Sequence, residues 1–83
     1  MYTIYKLTVS NDEQFTEYFQ KLSDLSAAVK EMYNCTMGPL EINHLLAEKA
    51  TIYEKYAKIL LGPFTDNQGV TWLLTVQEIG VND

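Results

Sequence analysis

Two segments of regular alternation, one near each end of the chain, constrain the fold more than anything between them. In Val70 to Ile79, the residues Val70, Trp72, Leu74 and Val76 alternate with Thr71, Leu73, Thr75 and Gln77. That is the period-two pattern of a strand with one buried face. Tyr2 to Val9 is β-branched and aromatic and sets Tyr5, Leu7 and Val9 on one side, which again predicts a strand. Such strands are stable only when their apolar faces share a cover, so whatever lies between them has to supply it.

The intervening residues read as two helices. Ser10 is an N-cap candidate with Glu13 three residues on, the pattern of a capping box, and Asp12 and Glu13 suit the positive end of a helix dipole. Phe15, Tyr18, Leu22, Leu25, Val29 and Met32 then step by threes and fours, the seam of a helix packed against another helix. Asn34 is a suitable stop. Gly38-Pro39 breaks the first helix and Pro39 suits the first position of the next, which runs through Ile42, Leu45, Leu46, Ile52, Tyr53, Tyr56, Ala57, Ile59 and Leu60 to a stop at Gly62-Pro63. A competing reading makes "YAKILLGPF" a strand paired with "VTWLLTVQEI" across "TDNQG". The helical pattern is longer and its punctuation consistent, so it is preferred. The expected fold is a single α+β domain over residues 1–83, ordered β-α-α-β. A long antiparallel helical hairpin packs on a small two-stranded antiparallel sheet. In the alternative, the second helix is shorter and residues 56–64 form a third strand.

Charge narrows the partners. Eleven acids against six lysines, with no arginine, leave a net charge of -5. Nucleic-acid recognition leans on a basic stripe and the guanidinium fork, so direct binding to nucleic acid is not expected, nor is attraction to an anionic membrane. An acidic surface instead attracts a basic protein, including one whose basic surface ordinarily binds nucleic acid. One cysteine excludes an internal disulfide framework. The opening residues lack the basic and apolar regions of a signal peptide, and no apolar run approaches a membrane span. Both observations point to a cytoplasmic protein.

The residues that invite chemistry lie in "NCTMGPLEINHL", Asn34 to Leu45. Glu41 and His44 form E-x-x-H on a helix, with Glu48 at i+4 from His44. Di-iron bundles need two such units and further glutamates, and the chain has one histidine. Cys35 lies nine residues before His44, but no oxyanion loop accompanies the pair. The four glycines build no phosphate cradle. The expectation is a non-enzyme with no catalytic residues, no metal site and no cofactor.

Contact is the more promising mode of action. The outward face of the two strands would carry Tyr2, Ile4, Lys6 and Thr8 beside Thr71, Leu73, Thr75 and Gln77. Ile4 and Leu73 are apolar where water is expected, so a partner or a second copy would cover them. The candidate contact residues are therefore Tyr2, Ile4, Lys6 and Leu73 on the sheet, with Glu41, His44 and Glu48 on the polar face of the second helix. In size, acidity and lack of motif the chain resembles the short regulators and inhibitors made by bacteriophages and mobile elements. That resemblance of type implies a non-catalytic regulator or inhibitor of a larger protein, such as a nucleic-acid-handling defence protein. A homo-oligomeric structural or assembly component, in its simplest form a homodimer, is the alternative.

Overall fold

The computed structural model describes residues 2–49 and 57–81. The chain order is β1 (Tyr2–Ser10), β2 (Gln14–Phe19), α1 (Leu22–Tyr33), α2 (Pro39–Lys49), β3 (Lys58–Thr65) and β4 (Thr71–Val81). The strands form one antiparallel sheet in the order β2-β1-β4-β3. Its centre is the pairing of the first strand with the last, in which Leu7 faces Val76 and Val9 faces Leu74. These four side chains are buried with Leu25 and Val29 of α1 and Ile42 and Leu46 of α2. Both helices therefore cover the same face of the sheet.

This architecture corrects the expected β-α-α-β fold. The sheet has four strands, not two, and two short helices replace the long hairpin. The first departure is at Ser10 to Phe19. Ser10 ends β1 and pairs with Gln14, so no capping box forms there. Asn11 makes the turn instead: its N–H donates to the Glu13 carbonyl and its Oδ1 accepts the Glu13 N–H, both at 2.9 Å. A short side-chain acceptor two residues before its donor is an Asx turn, which competes directly with helix initiation. The chain then returns along β1, with Val9 opposite Phe15 and Lys6 opposite Tyr18.

The second departure is at Lys58 to Thr65, where a strand stands in place of the end of the second helix. Gly62 and Pro63 do not stop a helix. They lie in a strand whose register shifts between Leu60 and Gly62, and Gly62 takes a φ of 128°. This is a β-bulge, at which glycine supplies a conformation other residues adopt only with strain. A strand over 56–64, the alternative reading, comes nearer to β3, but it still omits β2. The positions Ile52, Tyr53 and Tyr56 of the expected helix lie outside the described residues.

The stop at Asn34 and the start at Pro39 match the sequence signals, whereas α1 begins only at Leu22 and not at the expected Ser10 cap. α1 ends at Asn34, which adopts the left-handed region at φ 58°, and the Cys35 N–H donates back to the Val29 carbonyl at 3.2 Å. α2 begins at Pro39, and its first turn closes with the Ile42 N–H on the Gly38 carbonyl at 3.1 Å. Between them, the buried Ser26 hydroxyl donates to the Met37 carbonyl at 2.9 Å and ties the connecting loop to α1.

Two substitutions test this core. Leu74→Ala removes a fully buried side chain from the central ladder and should lower stability by about 2–5 kcal/mol in urea denaturation. Gly62→Ala should cost about 1–3 kcal/mol through backbone strain alone, because a Cβ there meets only Phe64, at an ordinary 3.7 Å. An alanine variant as stable as the parent would remove the bulge from the account.

Candidate functional site

The helices cover the sheet unevenly. On β2 the side chains that face the helical layer are Phe15, Glu17 and Phe19, since they oppose Val9, Leu7 and Tyr5. Phe19 packs against the core, but Phe15 remains 52% exposed. Across from Phe15 lies the last turn of α1, where Met32 is 54% exposed. Between them is a groove of about 380 Å³, floored by Leu7 and Val9 and walled by Phe15, Met32, Tyr33 and Trp72. Glu17 supplies a carboxylate to the same lining.

Three aromatic rings meet in this groove without stacking. The Phe15 and Trp72 centroids are 5.7 Å apart with planes at 58°, and Tyr33 meets Trp72 edge-on at 6.1 Å and 65°. Rings set at such angles wall a notch, and the quadrupole of each puts partial negative charge on its face. Their positions are fixed from behind. Trp72 Nε1 donates to Asp66 Oδ2 at 3.0 Å. Asp66 Oδ1 accepts the N–H groups of Gln68 and Val70, each at 2.9 Å. Asn34 Nδ2 donates to the Thr65 carbonyl at 2.8 Å and to Asn67 Oδ1 at 3.2 Å. The end of α1 is thereby tied to the β3–β4 turn, which holds Tyr33 over Trp72.

Charge gathers at this end of the molecule. The antiparallel registers put the β1–β2 and β3–β4 turns at the same end of the sheet, and the Asn34 bonds bring the end of α1 there too. Among the described residues, Asp12, Glu13, Glu31 and Asp66 are at that end with Glu17 close by, against one cation, Lys30. Lys21 and Lys58 lie at the other end, where β2 stops and β3 begins. The Tyr33 phenol registers the local field: burial raises its pKa most, and the Glu17 and Asp66 carboxylates raise it further. The Asp66 carboxyl is held below its usual range, first by the Trp72 indole N–H and then by the Val70 N–H.

The residues expected from sequence to make contacts are spread over two other surfaces. Tyr2, Ile4 and Lys6 of β1 and Leu73 of β4 lie on the sheet face away from the helices, with Ile4 opposite Ile79 and Leu73 opposite Ser10. Ile4 and Leu73 are thus separated by six positions of the ladder, about 20 Å. No carboxylate of β1–β4 lies on that face, because Glu17 and Glu78 oppose Leu7 and Tyr5 on the helical side. Glu41, His44 and Glu48 are exposed on α2, where His44 Nε2 pairs with Glu48 Oε1 at 3.1 Å. Among the described residues no three His, Cys, Asp or Glu side chains are grouped as a metal site would require. Cys35 is fully buried in the core, and burial raises its thiol pKa, with a bond to the Met37 backbone pulling the other way.

What defines the molecule is a small α+β module with a half-covered sheet and an aromatic groove at its acidic end. Compared with protein-family models, with curated proteins and with solved structures, the chain matches none. No described helix is long and apolar enough to cross a membrane.

The lowered pKa of Asp66 makes its bonds visible in acid. A carboxyl depressed by folding contributes stability that is present above its unfolded value and lost as pH falls through the folded one. The stability advantage of the parent over Asp66→Asn should therefore shrink below about pH 4, and a pH-independent gap in thermal melts would contradict these bonds. The Cys35 thiol, buried and shifted up, should react with a thiol reagent at least about a hundredfold more slowly in the native than in the urea-unfolded protein.

Proposed function

We propose that the protein is a small acidic, non-catalytic protein-binding domain that regulates or inhibits a larger protein. The observation that supports this reading best is the uncovered groove between β2 and the end of α1. Apolar walls with two half-exposed side chains at the rim, Phe15 and Met32, lose water favourably when a partner closes over them. The excess of carboxylates at that end favours a basic partner, among them proteins whose basic surfaces ordinarily bind nucleic acid. The likeness in size and acidity to phage and mobile-element inhibitors points the same way. A buried free thiol suits the reducing cytoplasm, which is where this reading sets the protein to work.

A second reading has its own observation. The two edges of the sheet are not equivalent, because β3 carries Pro63 and the Gly62 bulge while β2 carries neither. Proline and bulges guard edges against pairing, so β2 is the edge open to a second copy or a partner strand. A homodimer formed there would join two sheets through β2.

Affinity capture from cells that make the protein tests the first reading. The parent should retain a partner that the Phe15→Ser, Met32→Ser double variant loses, while both proteins melt alike. Equal retention by the two, or none by either, would contradict it. Light scattering tests the second: mass should rise toward a dimer with concentration, and a monomer throughout sinks it.

A further inference from the structure

The walls of the groove and the charge around it together specify what part of a partner it takes. A purely apolar side chain would be satisfied by Leu7, Val9 and Met32, but it would leave Glu17 facing it without a counter-charge. An anionic group would be repelled by Glu17 and by the carboxylates of the neighbouring turns, Asp12, Glu13 and Asp66. A cation satisfies both features, since it is attracted to aromatic faces and to a carboxylate in the same place. Trp72 presents the ring system best suited to this role, and its N–H is already committed to Asp66, so a ligand meets the part of the ring that lines the groove beside Phe15 and Tyr33. The long aliphatic stems of lysine and arginine would lie along the apolar floor while the charged head reaches the rings.

We propose that the groove seats a lysine or arginine side chain of a basic partner protein, resting against the ring cluster of Phe15, Tyr33 and Trp72 that lines it, with Glu17 as its counter-charge. This rests on the protein-binding reading and names the chemistry of its partner. No residue of α2 lines the groove, which opens on the helical side of the sheet, and a cation bound there offsets the carboxylates gathered at that end of the described residues. Encounter with the partner is steered by the same carboxylates and is therefore sensitive to salt.

Trp72 is the single tryptophan of the chain, so its indole resonance and its emission report this groove and nothing else. The test is a titration with a short peptide alternating lysine and glycine, beside its glutamate counterpart. The lysine peptide should give a saturable shift in both signals at low salt, weaker as salt rises, and the glutamate peptide none. Phe15→Leu, which keeps the apolar volume but not the ring, and Glu17→Gln should each weaken binding by about two- to fivefold. Glu48→Gln, on α2, should leave it unchanged. Absence of a saturable shift, equal response to the glutamate peptide, or unchanged binding in both groove variants overturns the assignment. A partner that is lost by Phe15→Ser, Met32→Ser yet bound fully by Phe15→Leu and by Glu17→Gln overturns the cation alone and leaves the protein-binding reading standing.

Discussion

The structure depends on the ladder between β1 and β4. It pairs Tyr2 through Ser10 with Leu73 through Val81, residues at opposite ends of the sequence. Once it forms, each of these strands carries one hairpin partner outward, β2 across the Asn11–Glu13 turn and β3 across the Asp66–Gly69 turn. The two helices are then the connection between the hairpins, and they must cross one face of the sheet to make it. Leu25, Val29, Ile42 and Leu46 have their positions in the core because Leu7, Val9, Leu74 and Val76 already present an apolar surface there. Pairing so distant in sequence forms only after a large loop is closed, which makes this ladder the costly step of folding as well as its centre.

The groove follows from the same geometry. α1 has 12 residues and α2 has 11, and helices of this length, placed over the middle of the sheet, leave the start of β2 bare. Phe15 is exposed for that reason and not because it is a poor core residue. The β3–β4 turn, fixed by Asp66, reaches toward the gap and aims Trp72 into it, while Asn34 anchors Tyr33 alongside. A cluster of aromatic rings is thereby held open at the end of the molecule where the acids of two turns and a helix terminus converge. The remaining sheet face is of another kind: threonine, lysine and glutamine occupy its middle on β1 and β4, flanked by exposed Tyr18 on β2 and Leu60 on β3, with Ile4 paired to Ile79 toward one end and Leu73 at the other.

The sequence made the central strands legible because alternation has one interpretation when it extends over eight or more residues. Leu7, Val9, Leu74 and Val76 could be assigned to the buried face on that ground. The ends of the helices were legible from Asn34 and Pro39, whose backbone preferences are local. β2 was not. Phe15, Tyr18 and Leu22 fit a helical seam, yet Phe15, Glu17 and Phe19 fit a strand face, and six residues are too few to separate the periods. The fragment "QFTEYF" is rich in aromatic and β-branched residues, and Asn11-Asp12 is turn-forming. Those two signals together could have identified the hairpin. Gly62-Pro63 was ambiguous for a related reason, since the same dipeptide ends a helix or marks a bulged edge strand. The groove was hidden as a consequence. Phe15 and Met32 both fit a helical seam in sequence, and only the placement of β2 on the sheet and α1 above it sets them across a gap from each other.

Hydrogen–deuterium exchange on the complex with a captured partner tests the central claim most directly, because it reads every surface of the molecule at once. The account predicts that binding protects the backbone of β2 around Phe15 to Glu17 and of the β3–β4 turn leading to Trp72, with little change along α2. Protection confined to α2 around Glu41, His44 and Glu48, with β2 and the turn exchanging as in the free protein, would contradict it.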